Sequence, residues 1–182
     1  MLRIIGGEWR SRILDFDTSS GVRPTTDRVR ETLFNWLQQA TPAAKCLDLF
    51  SGSGSLGIEA LSRGASALTF VEQSRRLSDE LRARISILDA QDRAQVLQSD
   101  AKAYLQTCSK RFDIVFLDPP FSTDIIDEVC ATLEQRKLLT DNAYVYIEMP
   151  RSSEPPVLPS NWAVNRAKIA GQVSYQLVQR HN

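Results

Sequence analysis

The amino-acid sequence predicts an α/β fold with a mostly parallel sheet and helices on both faces. Short apolar runs alternate with helical stretches between residues 46 and 149, a repeat typical of βα units that pair in parallel. A glycine-rich loop follows the first apolar run, where open sheets commonly bind ligands. With 42% hydrophobic residues, the 182-residue chain can build one core.

The first 39 residues precede this repeat and read differently. Two short alternating runs on either side of Gly6-Gly7 predict a β-hairpin over residues 2–14. A loop extends to Pro24, and capping residues beginning at Thr25 then start an amphipathic helix over residues 27–39. We therefore divide the chain into an N-terminal extension, residues 1–24, and a main domain, residues 25–182.

The main domain is predicted element by element from apolar periodicity. Strands are expected at residues 46–50, 67–72, 94–97, 112–117 and 143–149, and helices at 56–63, 75–88, 101–108 and 125–136. A proline- and serine-rich linker covers 150–159. Two further strands, 162–169 and 173–178, then close the sheet.

The loop after the first predicted strand indicates a nucleotide-like cofactor. Gly52, Gly54 and Gly57 match the G-x-G-x-x-G pattern, in which glycine allows sharp turns and close approach to a ligand. This pattern alone fits NAD, FAD or S-adenosylmethionine. Asp48 ends the strand before it, and a carboxylate there suits a cationic cofactor and would repel a pyrophosphate. S-adenosylmethionine is therefore favoured.

Two further acids follow the next two predicted strands. Glu72 occupies the usual position of a residue that accepts both ribose hydroxyls. Asp100 is placed to accept from an adenine amine, although a helix cap explains it equally well. The predicted cofactor-binding residues are Asp48, Phe50, Gly52, Gly54, Gly57, Glu72, Asp100 and Ala101.

A loop with the sequence Asp118-Pro119-Pro120-Phe121 follows the predicted strand at 112–117. Two prolines cannot extend a strand ladder and fix a rigid loop. Asp118 and the Pro119 carbonyl can accept N–H bonds, and Phe121 can stack on a planar ring. These four residues are predicted to hold a base by its exocyclic amine.

The charge distribution hints at a nucleic-acid partner although the net charge is zero. Residues 1–30 carry a net charge of +2, residues 31–150 carry −5, and residues 151–182 carry +3. Basic ends can meet phosphate, and ordinary solvated surface explains the same charges equally well. The candidate phosphate contacts are Arg10, Arg12, Arg23, Arg28 and Arg30.

Composition also argues against several classes of protein. His181, the only histidine, is next to the C-terminal residue, so a histidine base is not expected. The three cysteines are widely spaced without a C-x-x-C motif, which argues against a metal site. No apolar stretch approaches a membrane span, and the first residues lack a signal-peptide pattern. We expect a cytoplasmic monomer without metal or membrane contact.

Together these motifs resemble the class I S-adenosylmethionine-dependent methyltransferases, and most of all the bacterial 16S rRNA guanine-N2 methyltransferase D (RsmD) family. The resemblance covers essentially the whole chain. It is carried by residues 4–10, 23–25, 27–31, 33–35, 47–57, 70–72 and 117–121. One mild departure is Ser11, where relatives commonly carry glycine between basic residues.

The resemblance implies a Rossmann-like fold with a seven-stranded sheet whose last strand is antiparallel. It also implies methyl transfer to the N2 amine of one guanine in 16S rRNA, guanine-966 in the family. The expected substrate particle is the 30S subunit or a late assembly intermediate. The residues alone leave alternatives open: transfer to adenine N6 or a protein glutamine, a nucleotide-dependent oxidoreductase, and a non-catalytic RNA-binding assembly factor.

Overall fold

The computed structural model describes residues 1–15, 25–120 and 125–182. The helices in these ranges are α1 (Asp27–Trp36), α2 (Ser55–Ser62), α3 (Arg75–Ile87), α4 (Ala101–Thr107) and α5 (Ile126–Gln135). The strands are β1 (Leu2–Arg3), β2 (Ile13–Leu14), β3 (Lys45–Asp48), β4 (Ala67–Glu72), β5 (Ala94–Gln98), β6 (Phe112–Leu117), β7 (Leu139–Pro150), β8 (Trp162–Ala170) and β9 (Val173–Arg180).

Seven strands form one sheet in the order β5-β4-β3-β6-β7-β9-β8. Strands β3 to β7 are parallel, and β9 runs antiparallel to both of its neighbours. The chain builds outward from β3 to β5 and then returns to add β6 on the other side of β3. The strand order therefore reverses between β3 and β6, and the carboxyl ends of these strands border the crevice where such sheets bind ligands.

Alternate residues along each parallel strand divide the core into two layers. Phe116 and Tyr146 belong to a layer with α1, α2, α3 and the N-terminal hairpin. Val115 and Val145 belong to the layer with α4 and α5. Since side chains alternate between faces along a strand, both the mostly parallel sheet and the helices on both faces are confirmed.

The N-terminal hairpin is also confirmed, with β1 and β2 paired antiparallel. It is bound to α2 through a buried carboxylate, because the Ile5 and Gly6 amides donate to Glu59 at 2.9 and 2.8 Å. Gly7 has a φ of +79°, and an added Cβ would lie 1.8 Å from the Ser62 carbonyl oxygen. Only glycine fits this approach of the turn to α2.

Several boundaries differ from the sequence-based prediction. Strand β7 begins at Leu139, earlier than predicted, because Leu139 pairs with Phe112 before a register shift in the β6–β7 ladder. Helix α1 ends at Trp36, before the predicted end at residue 39. All three cysteines are buried free thiols, and burial is the main cause that raises the pKa of the Cys46 thiol.

Candidate active site

Asp48 ends β3 at the edge of the crevice. Its side chain is buried, and its Oδ2 accepts a hydrogen bond from the Gly57 amide in α2 at 3.1 Å. The pKa of Asp48 is raised to about 7, chiefly by burial; the Gly57 bond opposes this shift and the charge of Glu72 contributes to it. Within the described ranges, no lysine or arginine contributes to this shift. A cation in the crevice would favour the ionised form.

The glycine loop between β3 and α2 is fixed mainly by packing within the protein. Gly54 has a φ of +78°, and an added Cβ would lie 2.4 Å from Leu81 Cδ1. A Cβ on Gly57 would lie 2.2 Å from Phe70 Cε1. These two glycines let α2 lie close to α3 and the sheet, a role beyond the close ligand approach expected from the motif.

Glu72 ends β4 and braces the same loop. Its Oε2 accepts from the Gly52 amide at 2.8 Å, and its Oε1 accepts from the Ser74 amide at 2.7 Å. Gly52 has a φ of +50°. The carboxylate is thus oriented at the sheet edge by two backbone donors, and each oxygen retains a second lone pair for a ligand.

The remaining predicted cofactor residues lie in the core layer that contains α4 and α5, or at the start of α4. Phe50 is half-buried against the layer of α4 and α5. Asp100 is the N-cap of α4, and its Oδ1 accepts from the Ala103 amide at 3.0 Å. Ala101 is the buried first residue of α4. Asp48 and Glu72, at the ends of β3 and β4, and Asp100, two residues after β5, therefore lie at the carboxyl ends of three neighbouring strands.

Asp118 follows β6 on the other side of the switch point. Its Oδ2 accepts from the Thr25 hydroxyl at 3.2 Å, which joins the residue before the α1 cap to the Asp-Pro-Pro loop. The pKa of Asp118 is raised to about 8, chiefly by burial and secondly by the charge of Glu148, while the Thr25 bond acts in the opposite direction. Pro119 is buried and Pro120 is exposed. Phe121 lies outside the described residues.

Glu148 is the residue of this site that sequence reasoning missed. Leu117 and Ile147 pair in register, so Asp118 and Glu148 follow them on adjacent strands. Glu148 is 6% exposed, and its Oε2 accepts from the Tyr146 hydroxyl at 2.7 Å. The available signal was a charged residue within an apolar strand.

Aromatic rings continue from Glu148 toward the edge of the sheet. Tyr175 pairs with Glu148 in the β7–β9 ladder. Trp36 stacks on Tyr175 with ring centroids 5.6 Å apart and an angle of 29°. The Lys168 Nζ lies 6.0 Å from the Trp36 ring centroid. The acidic site therefore borders a partly exposed aromatic and cationic surface.

The predicted phosphate contacts differ in accessibility. Arg10, Arg12 and Arg28 are exposed, and Arg12 also donates to the Ile87 carbonyl at 3.2 Å. Arg23 lies outside the described residues.

Arg30, predicted as a further phosphate contact, is 1% exposed and is enclosed by protein. It donates to the Arg3 carbonyl oxygen and Asp27, and its Nη1 lies 3.7 Å from Glu59. The structure thus corrects this prediction by giving Arg30 an internal structural role.

Two further features concern the described residues as a whole. No helix there has the length and apolar character needed to cross a membrane. No group of three or more histidine, cysteine, aspartate or glutamate side chains there could hold a metal ion.

Known proteins are similar to this chain over almost its whole length. A family model described as conserved hypothetical protein 95 matches residues 2–179. Ribosomal RNA small subunit methyltransferase D of Escherichia coli (strain K12) is 46% identical, over 98% of this chain and 90% of the relative. The protein of the same name from Haemophilus influenzae is 40% identical, over 98% and 93%.

The solved structure of yhhF from Escherichia coli has the same architecture. It superposes with a TM-score of 0.92 at 44% identity, covering 99% of this chain and 98% of that one. The overall fold is thus shared with a protein of closely similar length. The chain belongs to the ribosomal RNA small subunit methyltransferase D family.

Proposed function

We propose that this protein transfers a methyl group from S-adenosylmethionine to the exocyclic N2 amine of a guanine in 16S rRNA. The observation that carries the proposal is the position of Asp118, a partly buried carboxylate on the opposite side of the switch point from Asp48 and Glu72. The names of the family relatives support small-subunit rRNA as the substrate class.

The residues along β3, β4 and β5 suit S-adenosylmethionine. When bound, this cofactor supplies a methyl carbon that takes the amine lone pair, while the electrons of the breaking C–S bond stay on sulfur to give S-adenosylhomocysteine. Asp48 would face the positive charges and ionise more readily beside them. Glu72 would accept from the ribose hydroxyls and Asp100 from the adenine amine.

The Asp-Pro-Pro-Phe loop would orient the target amine. A guanine exocyclic amine is a poor nucleophile because its lone pair is delocalised into the ring. Asp118 and the Pro119 carbonyl would accept its two N–H groups, and Phe121 would fix the ring plane. The nitrogen becomes positively charged as the N–C bond forms. Asp118 in its ionised form, which the cofactor's positive charge and the amine donors would favour over the protonated form of the free protein, can take the released proton.

The basic N-terminal region would hold the RNA backbone, and the target base would enter the crevice unpaired. Arg10, Arg12, Arg23 and Arg28 are the proposed phosphate contacts. A paired guanine would have to leave its stack to enter the crevice. We take the substrate particle to be the 30S subunit or a late assembly intermediate, with the enzyme acting as a monomer.

Methyl transfer from radiolabelled S-adenosylmethionine tests the proposal. Undermethylated 30S subunits, naked 16S rRNA, duplex DNA and a release-factor-like protein are offered in parallel, and labelled nucleic acid is digested to nucleosides. The expected product is N2-methylguanosine from 30S subunits. Label in N6-methyladenosine or in protein glutamine would keep the methyltransferase activity and assign it a different substrate. Absence of label despite cofactor binding would indicate a non-catalytic protein.

A further inference from the structure

Glu148 is a buried carboxylate beside the amine-binding loop. Because Leu117 and Ile147 pair in register, Asp118 and Glu148 follow on neighbouring strands spaced about 4.8 Å apart. Glu148 lies on the face of the sheet that carries Tyr146, since side chains alternate along a strand. Asp118 accepts from Thr25, which leads into α1 on that same face. The charge of Glu148 is also felt at Asp118, where it is the second cause, after burial, of the raised pKa.

The described surroundings of Glu148 provide no positive charge to compensate its carboxylate. Among the described residues, the Tyr146 hydroxyl is its hydrogen-bond donor, and no lysine or arginine affects its pKa, which burial raises. A buried carboxylate without a cation lowers folding stability. The Tyr146 hydroxyl binds Oε2, so Oε1 is the acceptor that a ligand can use.

Guanine carries the donors that would satisfy two neighbouring carboxylates. Its N1–H lies beside the N2 amine, so the edge of the base presents donors side by side. Adenine presents an amine beside N1, which is an acceptor and would be repelled by a carboxylate. We propose that Glu148 accepts the N1–H of the target guanine and thereby selects guanine, an inference that rests on the proposed transfer to guanine N2.

The test uses a base that keeps the reacting amine and changes its neighbour. 2-Aminopurine has the same exocyclic amine at C2, but its N1 is an acceptor. The full-length enzyme is given 30S subunits reconstituted with 16S rRNA that carries guanine or 2-aminopurine at the nucleotide labelled in the previous experiment. Wild-type kcat/KM should favour guanine on the order of 100-fold, because a buried acceptor is left facing an acceptor.

Glu148→Gln supplies the second arm. The Tyr146 hydroxyl can hold the amide oxygen, so the amide NH₂ faces the base and can donate to N1 of 2-aminopurine. The ratio of kcat/KM for guanine to that for 2-aminopurine should fall at least about 30-fold relative to wild type. Glu154→Gln, at an exposed position, is the matched control and should keep the wild-type ratio.

The outcomes separate this inference from the proposed function. Equal use of both bases by the wild-type enzyme overturns the role of Glu148 without any variant, so it remains testable if Glu148→Gln fails to fold. An unchanged ratio in Glu148→Gln, with both rates reduced alike, assigns Glu148 a structural role and also overturns it. Failure of the wild-type enzyme to label guanine rejects the proposed function itself.

Discussion

At the scale of single residues, Asp118 occupies the proposed catalytic position, and its burial there opposes its ionisation. Burial opposes its ionisation most strongly, the neighbouring Glu148 adds to this, and the Thr25 hydroxyl opposes both. An incoming amine would add donors to the one that the Thr25 hydroxyl provides. We therefore expect substitution at this position to have opposite consequences for transfer and for folding.

Asp118→Ala should retain cofactor binding and lose methyl transfer. Asp48 and Glu72 remain in place, whereas the acceptor that orients the amine is removed, so we expect kcat to fall about 10²- to 10³-fold. Equilibrium binding of S-adenosylmethionine and single-turnover transfer measure the two properties separately. Asp92→Ala, at an exposed position, is the control, and wild-type turnover in Asp118→Ala would rule out the assigned role.

Asp118→Asn should stabilise the free protein at alkaline pH. The pKa rises from an ordinary value of 3.8 to about 8 in the folded protein, so the folded state holds its proton where the unfolded state has lost it. The contribution of this carboxyl to the free energy of unfolding is fully present below pH 3.8 and is lost as the pH rises to about 8. We expect the variant to gain about 1–2 kcal/mol at pH 8.5, after discounting for partial exposure.

Urea unfolding at pH 5 and pH 8.5 measures this gain. The difference between Asp118→Asn and wild type should shrink at the lower pH, where the wild-type carboxyl keeps its proton in the folded state. A difference independent of pH would show that Asp118 ionisation does not limit stability.

At the scale of secondary-structure elements, a buried ionic cluster joins the N-terminal hairpin to the main domain. Glu59 of α2 is fully buried and accepts from the hairpin amides of Ile5 and Gly6. Arg30 of α1 and Arg63, just after α2, provide its positive partners. Three elements far apart in sequence therefore depend on one carboxylate.

Arg30→Ala should destabilise the protein by about 3 kcal/mol, because it leaves part of the Glu59 charge uncompensated in the interior. Chemical denaturation of both proteins measures the loss. Arg28→Ala, on the exposed side of the same helix, should stay within about 0.5 kcal/mol of wild type. A loss below about 1 kcal/mol in Arg30→Ala would mean that Arg63 and the backbone donors suffice for Glu59.

The type and order of the elements could be predicted from sequence, whereas contacts across the sheet could not. Apolar periodicity and strand-end acids identify Asp48 and Asp118 because both depend on local sequence. The importance of Glu148 depends on the register between β6 and β7, which periodicity does not fix. Arg30 looked like an exposed helical arginine because the partner that buries it, Glu59, comes from another element.

At the scale of the whole molecule, charge separates into an acidic crevice and basic surroundings. Asp48 at the end of β3, Asp118 directly after β6 and Glu148 near the end of β7 belong to adjacent parallel strands. Residues 1–30 and 151–182 carry net charges of +2 and +3. These acids offer no attraction to a phosphate backbone and would repel it wherever they ionise, so RNA affinity has to come from the surrounding arginines and lysines.

Charge reversal at Arg10 and Arg12 tests whether the hairpin carries that affinity. The double variant Arg10→Glu with Arg12→Glu should weaken 30S binding and lower the slope of log K against log salt by up to about 0.9 for each phosphate that the variant no longer neutralises. Binding measured between about 50 and 200 mM salt on the same preparation gives that slope.

Lys110→Glu with Lys137→Glu changes the net charge equally at exposed positions after α4 and α5, near the amino ends of β6 and β7. That control should lower affinity little and keep the slope, because it shares the change in long-range charge with the hairpin variant but removes no phosphate contact. If the two double variants behave alike, the hairpin makes no direct phosphate contact.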